Sequence, residues 1–590
     1  MTQGQLFEPP SSGSKLDRTI SGVACRVLID VSGYARELDY LMPDQLVESA
    51  RVGSIVRVRL RNRVVKGWLT SINLVDSQVA PVDLKPILNI YSVGPSAEIV
   101  ELARWISSRF VGPMRTVLSS ASPNRIIKSD PRFRARATFP VSSAELSRAV
   151  RTNTSVQLIT EPSDTGVDLA IELGRAGQTL IIVKSPSEVD WLVGVLRRNG
   201  VSASNYETDW AAGLRGDTIV GTAKAALASL VRPSAFLVLD SHSGHYKMRR
   251  SPHWDVSTVL QQRADNLDLP LVFASPFPAV ATIDRVDSVA RVSAINAKSI
   301  GPKVEVLDLC VQEERGSKLL SIKLVEALRK RGNGLIVINR KGSSNLLYCG
   351  SCSAAITSED GSSLMIELDG QLVVPGGTEV RPPLCQQCGS RKLKRYRLGV
   401  KGLASQLESL VEGDVVTIDA STKQIPSASF YVGTSAAIYR NLPVSMIAFV
   451  DIDSDLSTPG FRTRYKVASQ VIAAKRILGS DDVLLAQTRQ VEHPFIRWLV
   501  TQDPTELVSQ ERQARRMFSL PPFGHVAALK GPFADKAASR LVEAGLAVLG
   551  PNDGSYLAKS QTVSKLCEEL AKVRSEFGSG IKIEVDPFDM

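Results

Sequence analysis

Four cysteines in two Cys-x-x-Cys pairs carry the most specific chemistry in the chain: Cys349-Gly350-Ser351-Cys352 and Cys385-Gln386-Gln387-Cys388, with 32 residues between them. Each pair can present two thiolates at the tip of a tight turn, and two such turns facing each other form the tetrahedral sulfur cage that zinc prefers. A four-thiolate cage leaves no position open for water, so the metal it implies is structural and not catalytic. A redox pair or unbound thiols are the competing readings. Between the pairs, Asp369-Gly370 sits between short apolar runs, the signal of a hairpin turn. Cys25, Cys310 and Cys567 read as core fillers, because seven cysteines in 590 residues make no disulfide framework.

A second chemistry is cationic. From Ser54 to Val65 the sequence alternates, and a period of two puts Arg57, Arg59, Arg61 and Arg63 on one face of a strand with Val56, Val58, Leu60 and Val64 on the other. Four arginines with no acid between them suit phosphate contact, the competing reading being a solvated strand face. Two further basic stretches, Arg125 to Arg136 and Arg391 to Arg397, are equally compatible with a nucleic-acid backbone or with solvent.

A third chemistry is missing. After Val156-Gln157-Leu158-Ile159-Thr160 a nucleotide-driven motor needs a glycine-rich loop ending in Lys-Ser/Thr, whose amides and ammonium hold the phosphates. Here the chain reads Glu161-Pro162-Ser163-Asp164-Thr165-Gly166-Val167-Asp168, with no lysine and three carboxylates. The strand ending in Asp240 offers one carboxylate for magnesium, but Ser241-His242-Ser243 follows without an acidic partner. An acid at a strand end is as often a turn cap. His242, His245 and His253 match no familiar ligand spacing and read as ordinary histidines.

These residues must be positioned by several domains, since 590 residues exceed a single core. A hydrophobic content of 43% with 22% charged residues is that of a globular protein, and the net charge of +11 is a mild attraction for polyanions unless it is concentrated. Residues 1–20 read as a flexible tail with neither signal peptide nor span, and no long apolar run occurs elsewhere, so a cytoplasmic protein without membrane contact is expected. Residues 21–92 read as a small β domain and 93–150 as a helical module with a basic arm. Uninterrupted apolar runs at Val156–Thr160, Leu180–Val183, Thr218–Gly221, Phe236–Asp240 and Leu269–Ala274 predict buried parallel strands of an α/β lobe over 151–300. A second lobe is predicted from Gly334–Asn339, Val415–Ile418, Ser429–Gly433, Met446–Asp451 and Val483–Thr488. It spans 301–345 and 399–515, interrupted by the cysteine insertion at 346–398. A small α+β domain closes the chain over 516–590.

In this order the parts resemble the PriA family of primosomal replication-restart proteins. Leu38-Asp39-Tyr40-Leu41-Met42-Pro43, Val52-Gly53-Ser54-Ile55-Val56 and Leu84-Lys85-Pro86 are similar to its 3′-end-binding domain. Gly221-Thr222, Ala274-Ser275-Pro276, Asn339-Arg340-Lys341-Gly342, Gly433-Thr434, Asp451-Ile452-Asp453, Phe461-Arg462 and Arg515 to Pro522 follow later landmarks. The resemblance implies a multidomain α/β protein: an N-terminal β-rich 3′-DNA-end-binding domain, a winged-helix-like module at 93–150, two RecA-like helicase lobes with an inserted zinc ribbon, and a small α+β C-terminal domain. It assigns Asp39 and Lys85 to a pocket around a free 3′ end, with Leu38 where the family usually has Phe. The physical reading agrees, a carboxylate accepting from the terminal hydroxyl while lysine neutralises the neighbouring phosphate.

In the family's register three parts of one active site are replaced. They are the phosphate loop, the Asp-Glu-Glu-His signature at Asp240-Ser241-His242-Ser243, and the Gly-Arg-x-Gly-Arg motif at Ala473-Ala474-Lys475-Arg476-Ile477-Leu478. No catalytic residue, no enzyme activity and no use of ATP are therefore expected. The family has twice as many cysteines and usually two zincs, so here one zinc is expected, at Cys349, Cys352, Cys385 and Cys388. The implied function is restart of stalled replication. Its implied partners are forked and single-stranded DNA, the replicative helicase with other primosome components, and single-strand-binding protein, at the nucleoid in the cytoplasm. A residual ATP-dependent 3′-to-5′ helicase and a DNA-bound structural or regulatory scaffold are the alternatives.

Overall fold

A computed structural model describes residues 22–33, 36–72, 84–291, 301–310, 319–339, 347–352, 354–359, 365–374, 379–395, 399–419, 421–422, 424–458 and 462–587. The expected tail at 1–20 and the landmarks Arg340, Lys341, Gly342, Tyr396, Arg397 and Phe461 lie outside the described residues. Two compact units form, one from residues up to 105 together with 113–132, the other from 106–112 together with 133 onwards.

The first unit holds a five-stranded antiparallel sheet in the order Glu37–Pro43, Gly22–Ile29, Arg63–Ile72, Ile55–Leu60, Asn89–Ser92. Alternation sends Cys25, Val27, Ile29, Tyr40, Met42, Val56, Val58 and Leu69 to a common core. The run 54–65 is not one strand. A two-residue turn at Arg61-Asn62, with Arg61 at φ +52°, ends the strand at Leu60 and starts the next at Arg63. Leu60 pairs with Arg63, Arg59 with Val64 and Arg57 with Lys66. Paired residues share a face, so Arg63 lies on the side of Leu60 and Val64 on the side of Arg59, the reverse of the sequence expectation. Reversing the chain direction inverts the phase of the alternation.

The winged-helix-like module expected at 93–150 is also corrected. Helices Ala97–Arg109 and Met114–Ala121 form, but no strand follows them among the described residues, and 122–143 runs without regular structure. Pro123, Pro131 and Pro140 deny that stretch the amide donors a β wing needs. The third helix, Ala144–Thr152, buries Leu146 and Ala149 in the core of the neighbouring parallel sheet.

The second unit is dominated by two parallel sheets. One has seven strands, in the order Ser288–Arg291, Ser155–Ile159, Leu271–Ser275, Pro233–Leu239, Gln178–Ile182, Thr218–Gly221, Ala203–Asn205. The other has six: Lys303–Asp308, Val483–Thr488, Met446–Phe449, Gly334–Val337, Phe430–Gly433, Val415–Ile418. The central strands are buried on both sides, as their unbroken apolar sequences require. The chain ends in a βαββαβ domain with a four-stranded antiparallel sheet between His525 and Val585. No helix among the described residues is long and apolar enough to cross a membrane.

Phe277 ties the parallel sheets together. It follows the first-sheet strand Leu271–Ser275 yet is buried in the core of the second, edge-on to Tyr465 at 5.3 Å and to Trp498 at 4.9 Å. Tyr465 strengthens the tie, its hydroxyl accepting from the Val280 amide and donating to Glu511. Truncating a buried aromatic of this kind costs about 3–5 kcal/mol. Phe277→Ala is therefore expected to lower the urea midpoint of the second unit by that amount of stability, while an exposed control such as Val500→Ala leaves it within about 0.5 kcal/mol of wild type.

Candidate functional site: a cysteine cage, the Asp39 edge strand and a closed interlobe cleft

The four cysteines predicted as ligands converge. Strands Leu347–Cys349 and Leu393–Arg395 pair to bring the first knuckle beside the exit of the second, and the hairpin expected at Asp369-Gly370 is present between Ile366–Leu368 and Gln371–Val373. The four Sγ atoms lie within 4.8 Å of one another, with Cys349 to Cys388 at 3.5 Å and Cys352 to Cys385 at 3.6 Å. A tetrahedron with metal–sulfur bonds of about 2.3 Å has edges of about 3.8 Å, so the donor set fits zinc. Burial resists ionisation of Cys349, but the amides of Cys352 and Ser351 overcome it and bring the thiol down to about 6. Leu347, Ile356, Met365 and Leu372 pack around the cage.

Asp39 lies on the edge strand of the first unit, half-buried, and accepts from Arg26 Nε at 3.1 Å. Lys85 is exposed on a segment that runs alongside this strand: the Leu41 amide donates to the Lys85 carbonyl and the Ile87 amide to the Leu41 carbonyl, both at 2.9 Å. Ile87 enters the core and Lys85 makes no ion pair among the described residues. The two residues expected at an end pocket thus sit on adjacent segments, with Arg26 as a second cation that sequence reading missed. Arg57 and Arg59 lie elsewhere on the sheet. Two strands separate Asp39 from Arg57, which places them about 14 Å apart across the strands and, with the bulge between Arg26 and Val27 taken into account, about 14 Å along them.

The cleft between the parallel sheets is occupied by the protein's own charges. Asp240, at the end of Pro233–Leu239, takes a bidentate pair from Arg476, with Nη1 to Oδ2 at 2.6 Å and Nη2 to Oδ1 at 2.8 Å, and a third contact from Lys184 Nζ at 2.8 Å. Arg476 comes from the helix Thr463–Ile477 of the second lobe. Its remaining donors reach the carbonyls of Pro162, at 3.2 Å, and Asp164, at 2.7 Å. Burial opposes ionisation of Asp240, and the two cations overcome it, holding the carboxyl well below the usual carboxylate range.

The loop 161–166 therefore turns carbonyl oxygens towards the cleft, whereas a phosphate cradle needs amide hydrogens there. Its Gly166 amide is already taken by the Asp164 carboxylate at 2.7 Å. Gly166 itself is irreplaceable in this loop: its φ is +73° and a Cβ would meet Leu239 at 2.5 Å. Beside the triad remains a cavity of about 670 Å³ edged by Trp191 and Tyr439.

The nearby histidines each have separate partners. His242 Nδ1 is 2.7 Å from Ser275 Oγ, His245 Nδ1 is 3.0 Å from Ser243 Oγ, and His253 Nδ1 is 3.2 Å from the Met248 carbonyl. Burial lowers His242 to about 4, so it is neutral in the fold.

Comparison with known proteins places this geometry. Residues 26–123 match the family model described as the 3'DNA-binding domain (3'BD) of PriA. The "Probable replication restart protein PriA" of Mycobacterium tuberculosis is 24% identical over 582 residues, covering 86% of each chain. "Replication restart protein PriA" of Haemophilus influenzae is 23% identical over 75% of this chain and 68% of its own length, and that of Synechocystis is 22% identical over 68% of this chain. The match spans about half, 52%, of the Synechocystis protein. The resemblance read from the sequence therefore holds: the chain is similar to the PriA replication-restart proteins, and residues 26–123 match their 3'DNA-binding domain.

Removing one partner from a buried ion pair costs about 3–5 kcal/mol. Arg476→Ala is expected to lower the unfolding free energy by this order at pH 7. Because the folded carboxyl of Asp240 is depressed, its stabilisation is present above the unfolded value of about 3.9 and lost as pH falls below it. The gap between wild type and Arg476→Ala in urea midpoint should thus narrow as pH drops through about 4. A constant gap would place the loss in packing and not in the pair.

Proposed function

We propose that this relative of the PriA proteins recognises abandoned replication forks by the 3′ end of the leading strand and promotes reassembly of the replication machinery through binding, without turning over ATP. The observation that carries the reading is the conjunction of a 3′DNA-binding domain at 26–123 with an interlobe cleft whose acid is already neutralised by Arg476 and Lys184. In the first unit, the Asp39 carboxylate accepts a hydrogen bond from a terminal 3′-hydroxyl, held in place by Arg26, while Lys85 neutralises the adjacent phosphate. Arg57, Arg59, Arg61 and Arg63 add sequence-independent affinity for DNA.

In the second unit, magnesium would need the carboxylate that Arg476 grips, and triphosphate would need amides where 161–166 offers carbonyls. Three observations support the loss of hydrolysis: the carbonyl-lined loop, the missing acid after Asp240, and an arginine held by Asp240 instead of being free for a transferring phosphate. Cys349, Cys352, Cys385 and Cys388 would hold one structural zinc, which pins the insertion 346–398 as a platform for partners. The replicative helicase and single-strand-binding protein are the proposed ones.

Two measurements test the reading. Forks with a leading-strand 3′-hydroxyl are expected to bind about tenfold or more tightly than forks blocked by 3′-phosphate, the size of a hydrogen bond to a charged group, and Asp39→Ala should erase the difference. The same preparation should show no DNA-stimulated ATP turnover; turnover abolished by Asp240→Asn would establish the helicase alternative instead. Separately, elemental analysis should find one zinc per chain, lost in Cys352→Ser together with a lower melting temperature.

A further inference from the structure

We infer that the first unit carries a second DNA contact, a phosphodiester site built from Arg57, Lys66 and Arg125 around Tyr91, which grips the strand upstream of its 3′ end. It rests on the end-binding reading of this unit but uses none of the residues of that pocket. At the end of the sheet remote from Asp39, the strand Arg63–Ile72 and residues 119–126 enclose a cavity of about 280 Å³ lined by Lys66, Trp68, Tyr91, Asn124 and Arg125. That is room for a sugar and a phosphate, not for a duplex.

The charges in this cavity are unbalanced. Arg57 Cζ stands 4.5 Å and Lys66 Nζ 4.2 Å from the centre of the Tyr91 ring, so one aromatic face system holds two like charges. The ring offsets part of their repulsion. No carboxylate offsets the rest: among the described residues Arg57, Arg59, Lys66 and Arg125 have no ion-pair partner, and Asp30, the acid at the rim, is paired with Arg115 at 2.9 Å. Like charges brought together without an acid form a site for an external anion, and a cationic cavity with an aromatic wall suits the backbone of a single strand.

Position supplies the second argument. Asp39 and Arg57 project from the same face of the sheet: Asp39 pairs with Arg26, Leu28 two residues on pairs with Trp68, and Lys66 two residues from Trp68 pairs with Arg57, a bulge between Arg26 and Val27 taking up the extra residue of the strand Arg63–Ile72. Their separation of about 20 Å follows from strand spacing and rise. A single strand seated with its 3′ end at Asp39 reaches Arg57 after about six nucleotides if its bases stay stacked at about 3.4 Å each, and after fewer if its backbone is extended. The end pocket then reads whether a hydroxyl is present, and the Tyr91 site supplies affinity irrespective of the end.

The test is anisotropy titration of the full chain with labelled oligothymidylates of about 12 and about 2 nucleotides, each with a 3′-hydroxyl or a 3′-phosphate, over a range of salt. Lys66→Ala with Arg125→Ala should weaken binding of the long strands about tenfold at low salt, equally for both ends. It should reduce the slope of log K against log salt by about 0.7 for each phosphate that the variant no longer neutralises, and leave the short strands unchanged. Lys66→Arg should bind as wild type. Wild-type affinity and salt slope in the double variant would overturn the second site while leaving the Asp39 pocket standing. Loss of binding in Lys66→Arg would also overturn it, as a defect of fold and not of charge. Absence of any hydroxyl preference in the wild type, with the double variant still weakened, would instead refute the end-binding reading and keep this one.

Discussion

Asp240 is a carboxylate buried between two lobes, and such a group is tolerated only if cations follow it into the cleft. Arg476 and Lys184 do so, one from each lobe, and much of the second unit is arranged around that requirement. The helix Thr463–Ile477 must lie where its last turn reaches across. The loop 161–166 must present the carbonyls that take the rest of the guanidinium. The bidentate geometry holds the guanidinium plane in a way that a lysine at 476 could not. Phe277 performs the apolar counterpart a short way along the same interface. The lobes are thus joined by polar contacts, the one at Asp240 and the Val280 amide on the Tyr465 hydroxyl among them, and by the apolar contact of Phe277, all made within the chain.

The fold was legible in the sequence where burial is complete. The runs 180–183, 236–239 and 483–486 are unbroken and apolar because both faces of these parallel strands are covered. The strands Ala203–Asn205, Ser288–Arg291 and Lys303–Asp308 went unseen because they are sheet edges, short or half-exposed, where polar residues suffice. The turn at Arg61-Asn62 was missed for another reason. It lacks the Asn-Gly or Asp-Gly signature, so the alternation continues through it in the sequence and only the pairing of Leu60 with Arg63 reveals the reversal.

The candidate sites divide along the same line. The cysteine cage is carried by local spacing, two residues inside each knuckle, and its convergence follows from ligand chemistry. Asp39 and Lys85 were identified by resemblance, and the backbone pairing at Leu41 brings their segments together. Arg476 was visible only as a departure from a motif, because its partner lies 236 positions away and nothing near Ala473-Ala474-Lys475 announces a carboxylate. Lys184 and Lys66 gave no signal at all: single lysines acquire meaning from the acid or the ring that the fold sets beside them.

The net charge of +11 is thus an average over two unlike situations. Inside the second unit, cations at the cleft are matched by Asp240 and Glu188, and they contribute cohesion at the expense of any external anion. On the first unit, Arg57, Arg59, Lys66, Lys85 and Arg125 have no ion-pair partner among the described residues, a configuration that adds nothing to folding and weakens it through mutual repulsion. A fold retains unmatched charge where an external partner completes it. Under the proposed function that partner is the phosphate backbone, and the division assigns recognition to the first unit while the second keeps two parallel-sheet lobes whose cleft is closed by its own arginine.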